Sequence, residues 1–327
     1  MNPTDVDTEG LPDFIIIGAQ KSGTSSLHGI LARHPGVFIP PREIFFFDVD
    51  DVEQHPDFFV RTGDGWTDHD FERDLAAYLA WYRGMFEDAR PGQMIGEDST
   101  TYLASRAAPG RIAAMLPEVK LIALLRDPVT RAYSHYWHTV STGRATMTFE
   151  ESLQAGRGNL ITRGRYLEQI ERYLAHFGSG SLKIILFEEF VSDEQSTVDG
   201  VCAFLGLEPS IDLATVDPHK NRASPPLSLP ARLLVNRLFQ RFTAKSYRGR
   251  IPNMPSYDPG SLRSRIEKHP LARRLADGYE SLRPRRRYPA MKPETRSHLE
   301  GVFRRLNAGL SELIGRDVSE HWPYMSG

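Results

Sequence analysis

The chain is nearly without cysteine: Cys202 stands alone, which excludes an intramolecular disulfide and any paired-cysteine metal site. Set in Val201-Cys202-Ala203-Phe204-Leu205, it reads as a buried helix residue, and a single thiol suits a reducing cytoplasm. No stretch approaches the ~18 consecutive apolar residues of a bilayer-spanning helix. The opening run Met1 to Gly10 is polar and acidic, without the basic-then-apolar order of a secretory signal. Internal repeats and low-complexity linkers are also missing. The 327 residues are therefore expected to form a flexible segment over 1–12 and a single domain over 13–327. What is there is ordinary for a folded domain: 40% hydrophobic, 25% charged and 10% aromatic residues supply enough apolar surface to exclude wholesale disorder.

The net charge of −2 conceals an asymmetry. Between Lys220 and Arg305 lie 21 Lys and Arg against 6 Asp and Glu, a surplus of +15 that leaves −17 over the rest of the chain. Scattered pairs such as Arg304-Arg305 read as solvated helix faces, whereas the dense run Arg283-Pro284-Arg285-Arg286-Arg287 points to an anionic ligand. No zinc-finger spacing or RNA-recognition signature accompanies it, so no nucleic-acid partner is expected.

Asp13 to Gly18 is a short β-branched run ending in glycine, the pattern of a fully buried parallel strand. A turn and a helix over about Ser25 to Arg33 follow, with small hydroxyl residues placed to cap it. Further strands are expected at Met94–Glu97, Lys120–Leu125 and Leu182–Phe187. Helices are expected at Phe71–Ala89, Arg111–Leu116, Pro128–Ser141, Leu160–Phe177, Glu189–Leu205, Pro230–Phe242 and Pro293–Ile314. Strands alternating with helices predict an α/β fold, a central parallel sheet covered on both faces. Val49 to Asp70 and the proline-rich Asp217 to Pro230 break the rhythm and read as functional loops or insertions.

Two segments carry chemistry. In Gly18-Ala19-Gln20-Lys21-Ser22-Gly23-Thr24-Ser25-Ser26-Leu27, a strand turns into a helix, so backbone N–H groups, the helix dipole and hydroxyls converge on one place where an anion fits. The lysine precedes the second glycine, whereas a Walker A loop needs it after, and the Lys-Ser/Thr pair that places magnesium is lost. For the glycines alone a plain structural turn is an equal reading. In the second segment, Leu121 to Leu125 deliver Arg126 to the carboxyl end of a strand, where open α/β sheets bind ligands, and the following helix carries Ser134. Arg126-Asp127 as a local ion pair and Ser134 as a helix-surface residue are the competing readings.

Together these segments resemble the PAPS-dependent sulfotransferase family, in which PAPS is 3′-phosphoadenosine 5′-phosphosulfate. The pattern is similar to the Golgi heparan-sulfate sulfotransferases and to bacterial proteins that share their domain. Arg42-Glu43-Ile44-Phe45-Phe46-Phe47-Asp48, Gly96 to Tyr102, Arg285 to Glu294 and the ending Leu310 to Trp322 extend the likeness over roughly Phe14 to Trp322, in order.

The resemblance implies a P-loop-like three-layer fold and an enzyme that transfers a sulfuryl group from PAPS to an acceptor hydroxyl or amine. The acceptor would be a carbohydrate or small metabolite, the product 3′-phosphoadenosine 5′-phosphate, and no metal would be required. It assigns Lys21 to the bridging oxygen of the leaving group, and Ser22, Gly23, Thr24, Ser25 and Ser26 to the 5′-phosphosulfate loop. Glu43 is implied as general base, Arg126 and Ser134 as the 3′-phosphate grip, and Arg286, Arg287 and Tyr288 as a basic loop closing over the nucleotide. Without the resemblance, Glu43 would read as a surface carboxylate beside Arg42.

Two departures bear on the acceptor. Phe45 stands where some relatives place histidine, and Asp98 where they commonly have lysine, changes that suit a smaller or less acidic acceptor. Trp66, His69, Tyr78, Trp81 and Tyr82 offer aromatic surface for such a group, with core packing an equal explanation for Trp81 and Tyr82. His135 and His138 share a helix but have no third ligand partner or HExxH pattern. Two alternatives stay open: a P-loop-like nucleotide kinase or NTPase, and a non-catalytic module that binds nucleotides or polyanions.

Overall fold

A computed structural model of the chain describes residues 6–59, 61–62, 65–209, 211, 213, 225–226, 228–243, 251–252 and 288–326. Its strands are β1 (Phe14–Gly18), β2 (Val37–Phe38), β3 (Arg61–Thr62), β4 (Gly65–Trp66), β5 (Met94–Asp98), β6 (Lys120–Leu125) and β7 (Leu182–Leu186). Five of them form a parallel sheet in the order β2-β5-β1-β6-β7, while β3 and β4 make a separate antiparallel hairpin.

Strand alternation sorts the core into two layers. Ile15 and Ile17 of β1 join Leu121, Ala123 and Leu125 of β6 on one face; Phe14 and Ile16 join Ile122 and Leu124 on the other. The first face is covered by α2 (Leu75–Gly84), α3 (Ala108–Met115) and α6 (Tyr166–Leu174), the second by α1 (Thr24–Leu31) and α8 (Glu194–Leu205). Burying both faces explains why these strands are continuously apolar rather than alternating with polar residues. A third cluster joins α4 (Pro128–Ser141), α5 (Phe149–Gln154), α9 (Leu229–Thr243) and α10 (Pro293–Leu306) through Val129, Tyr136, Phe149, Leu233, Leu299 and Phe303. The three-layer α/β arrangement expected from the sequence is thus the one observed.

Several expected helices are shorter or divided. The helix expected over Phe71–Ala89 is regular only in α2. That over Leu160–Phe177 breaks at a 3-10 turn, Thr162–Gly164, before α6 begins. The stretch Glu189–Leu205 is two helices, α7 (Phe187–Ser192) and α8, because the Asp193 side chain accepts from the Ser196 N–H and starts the second. Pro293–Ile314 divides into α10 and α11 (Leu310–Ile314) at Gly309, whose φ of 91° no helix tolerates. The buried Asn307 side chain secures that break, donating to Gly164 O at 3.0 Å and accepting from Leu167 N at 3.2 Å. Within the segment Val49–Asp70 lie a 3-10 turn (Pro56–Phe58) and the β3–β4 hairpin.

Candidate active site

The site lies at the carboxyl ends of β1, β5 and β6. Gly18 ends β1 with φ 148°, and a Cβ there would come within 2.8 Å of Leu103 Cβ, so the close approach of these two segments requires glycine. The turn continues through Lys21, itself left-handed at φ 73°, to Gly23 at φ 94°. Contrary to the hydroxyl cap expected near Ser25, α1 begins at Thr24 with Gly23 in the capping position and no side-chain cap. Among the described residues no acceptor takes the N–H groups of Gly23, Thr24 or Ser25. Such a helix start presents free donors and a partial positive charge to an anion. Ser22 and Thr24 are buried in this turn; Ser25 and Ser26 are exposed.

Arg126 leaves the end of β6 and reaches across to this turn. Its Nη1 donates to Lys21 O at 3.1 Å and its Nε to Thr130 Oγ1 at 3.2 Å, while the guanidinium lies 4.7 Å over the Phe187 ring. Tyr166 Oη donates to Arg126 O at 2.9 Å. Asp127 is occupied otherwise: its carboxylate accepts from Val129 N and Thr130 N to cap α4, and from Tyr324 Oη at 2.8 Å. Burial holds the Arg126 guanidinium below its usual basicity, opposed by the charge of Glu188. Burial does the same to Lys21, aided by the Arg126 charge and opposed by Glu43. An anion delivered here would meet two incompletely solvated cations.

Ser134 lies one turn beyond Thr130 on α4 and is partly exposed. The Tyr288 ring stacks on Trp137 of the same helix, centroids 5.2 Å apart at 7°, and Tyr133 Oη donates to Pro289 O at 2.9 Å. The Arg126 charge reaches the Tyr288 hydroxyl, so the segment at 288 returns to the β6 end. Arg286 and Arg287 lie outside the described residues.

Glu43 reaches the site from the loop after β2. Its Oε1 accepts from Thr100 N at 3.2 Å and from Thr100 Oγ1. Burial and the nearby Asp98 push its acidity down, raising its pKa, against the Thr100 bonds and the His55 charge. Asp98 in turn pairs with His28 Nδ1 of α1 at 3.2 Å. Thr100 was legible only as part of a Ser-Thr-Thr run; its partner stands 57 residues earlier, which no local pattern reveals.

The aromatic insertion is mainly core. Tyr78 is wholly buried and His69 nearly so, its Nδ1 2.9 Å from Tyr78 Oη, which corrects the expectation of an aromatic acceptor surface at those two; Tyr82, wholly buried, follows the core-packing reading. Trp66 is the exception, 70% exposed on the β3–β4 hairpin. His55 brings the insertion to the site: its ring stacks on Phe58 at 4.3 Å, lies 4.8 Å from Phe45 and pairs with the buried Asp48 at 2.9 Å. Arg163 adds a clamp, donating to Gln54 Oε1 and Gln54 O at 2.8 and 2.9 Å and to Gln20 Oε1 beside Lys21. His138 is held down to about 3 by burial and by the charges of Lys21, Arg144 and Arg163. Among the described residues no group of three or more His, Cys, Asp or Glu is placed to hold a metal ion.

The sulfotransferase family model matches residues 12–211, a span containing Lys21, Glu43, Arg126 and Ser134. This chain belongs to the sulfotransferase family. Heparan sulfate glucosamine 3-O-sulfotransferase 3A1 of Mus musculus is 34% identical over 212 residues, covering 62% of this sulfotransferase and 48% of the relative. Bifunctional heparan sulfate N-deacetylase/N-sulfotransferase 4 of Mus musculus is 30% identical over 236 residues, 64% of the chain and 24% of the relative. The matches thus span about half of the first relative's length and about a quarter of the second's. A crystal structure of a sulfotransferase from Alicyclobacillus acidocaldarius is similar over 94% of this chain and 98% of that one, with a TM-score of 0.60 and 27% identity. Among the described residues no helix is long and apolar enough to cross a membrane.

Proposed function

We propose that this sulfotransferase moves a sulfuryl group from PAPS to a hydroxyl or amine of a carbohydrate or small-molecule acceptor, releasing 3′-phosphoadenosine 5′-phosphate. The observation that carries the reading is the position of Lys21, whose carbonyl is held by Arg126 and whose ammonium lies in the field of Glu43. Three segments distant in sequence thereby bring a leaving-group cation, a phosphate-binding cation and a base to one end of the sheet.

The donor fits the groups present. The free N–H groups at the start of α1 and the Lys21 ammonium suit the 5′-phosphosulfate, and Arg126, with Ser134 and Tyr288 beside it, suits the 3′-phosphate. In the proposed displacement the acceptor atom attacks sulfur, and the bond from sulfur to the bridging oxygen breaks in line. The acceptor proton passes to Glu43, while Lys21 neutralises the charge that grows on the departing oxygen. Burial and Asp98 favour the role of Glu43, because a carboxylate raised toward neutrality is a stronger base.

Carbohydrate as acceptor class is supported by the names of the heparan sulfate relatives. A single domain over 13–327 and a cytoplasmic setting belong to the same proposal, the latter favoured by one buried thiol, Cys202. Incubation with radiolabelled PAPS and a panel of amino sugars, neutral sugars and phenols tests it. Labelled acceptor is expected; magnesium-dependent ATP turnover without sulfuryl transfer would replace the reading with phosphoryl transfer.

A further inference from the structure

The loop that carries Glu43 is held by more than Thr100. Ser99 Oγ accepts from Ile44 N at 3.2 Å and from Phe45 N at 3.0 Å, and Tyr102 Oη accepts from Phe47 N at 3.1 Å. The Phe46 ring stacks on Tyr82, centroids 4.1 Å apart at 7°. Every residue from Ile44 to Phe47 is therefore gripped by a hydroxyl-bearing side chain, and all three of those hydroxyls converge on Glu97. Its Oε1 accepts from Ser99 Oγ at 2.7 Å and from Tyr102 Oη at 2.6 Å, and its Oε2 accepts from Tyr82 Oη.

A hydroxyl has one proton and two lone pairs, so its single donor bond decides where its lone pairs point. Ser99 and Tyr102 accept from the loop because their protons are committed to an acceptor on the opposite side. Without that acceptor each would rotate freely, and the three loop N–H groups would face hydroxyls of undefined polarity in a site closed to water. Glu97, Ser99, Tyr102 and Tyr82 are all fully buried, so solvent supplies no substitute. The strain of the loop increases its need for a hold: Phe45 adopts φ 64°, a left-handed backbone that bulky residues avoid.

We infer that Glu97 is a positioning residue, a buried polarity anchor that acts through Ser99 and Tyr102 to fix the Ile44–Phe47 loop and so place the Glu43 carboxylate beside Lys21. The inference rests on the reading of Glu43 as base for its effect on rate, but not for its effect on the loop. It also has a chemical signature. One oxygen, Oε1, serves both loop-orienting hydroxyls, so an amide that keeps that oxygen keeps the anchor, whereas an apolar side chain abolishes it.

The test compares Glu97→Leu, Glu97→Gln and Ser99→Ala in the full chain by hydrogen exchange and by PAPS turnover with glucosamine. In Glu97→Leu, the amides of residues 44–47 are expected to exchange at least about tenfold faster. Its kcat is expected to fall about 10²-fold, the scale of a misplaced catalytic group, with the KM for PAPS within about twofold. Glu97→Gln should recover most of both losses. Unchanged exchange at 44–47 in a folded Glu97→Leu would overturn the inference, as would equal damage from Leu and Gln. Should Glu97→Leu not fold, Ser99→Ala decides, since it frees the Ile44 and Phe45 N–H groups directly; wild-type exchange there would be equally fatal. If exchange rises as expected but Glu43→Gln turns over at the wild-type rate, the anchor stands and the base assignment falls.

Discussion

Arg126 donates from its guanidinium to the backbone carbonyl of Lys21, across 105 positions of sequence and 3.1 Å of space. The bond joins the group proposed to read the 3′-phosphate to the loop proposed to hold the 5′-phosphosulfate. Calorimetry should therefore show 3′-phosphoadenosine 5′-phosphate binding far more tightly than AMP, each charge-assisted contact to the extra phosphate contributing ~1.5–3 kcal/mol. Arg126→Met should erase most of that preference. Equal affinity for the two nucleotides in the unaltered protein would remove the donor assignment.

Lys21→Ala should lower kcat by ~10² to 10³-fold, the scale of losing one oxyanion donor, while weakening the bisphosphate product much less. The ammonium is proposed to act on charge that develops as the bond to sulfur breaks. Steady-state rates and product affinity, measured on the same preparation, separate the two effects.

Glu43→Gln keeps the shape of the side chain and loses the proton acceptor. The expected loss in kcat is ~10² to 10⁴-fold with the nucleotide dissociation constant nearly unchanged. A phenol of low pKa should be partly rescued, because it arrives closer to ionised. A folded variant that sulfates an aliphatic alcohol at the wild-type rate would move the base role elsewhere.

The pH profile carries a sign. Burial first and Asp98 second raise the Glu43 pKa, and the proposed base role needs the ionised carboxylate, so kcat/KM should climb as pH rises through that raised value. Asp98→Asn removes the like charge and should shift the acidic limb to lower pH. A shift upward, or none, would show that Asp98 does not act on Glu43.

Glu97 predicts a pH dependence of stability instead. Burial raises it from 4.5 to about 7, against the three hydroxyl bonds it accepts. Between those values the folded protein holds a proton that the unfolded chain releases. Stability from this group is thus complete below 4.5 and lost as pH rises toward 7, by on the order of 3 kcal/mol. Melting curves at pH 5 and pH 8 should differ less in Glu97→Gln than in the wild type, where that loss is present (about 3 kcal/mol over this window).

The contrast between Pro128–Ser141 and the Glu43 loop shows what sequence alone conveys. Helix α4 falls on the expected residues because its determinants are local: Pro128 in its first turn and Asp127 as its cap. The alternation of buried strands with helices was legible for the same reason. The hold on Glu43 was not, since Thr100, Ser99, Tyr102 and Glu97 reach it across more than fifty residues. Tyr82 read equally as ligand surface or as core; it is core and a donor to a buried carboxylate, a distinction that depends on a partner 15 residues away. Arg163 gave no sequence signal, because the two glutamines it clamps belong to other loops.

One phenyl ring has a consequence for how this family can diverge. Phe187 lies under the Arg126 guanidinium and also 2.9 Å from where a Cβ on Gly23 would stand. Any change that enlarges position 23 must displace the platform of the arginine, and any change that reshapes position 187 opens or crowds the turn that holds Lys21. Positions 23, 126 and 187 are therefore expected to drift together or not at all. Among related chains, a residue other than glycine at 23 should coincide with a smaller side chain at 187 and a different cation at 126.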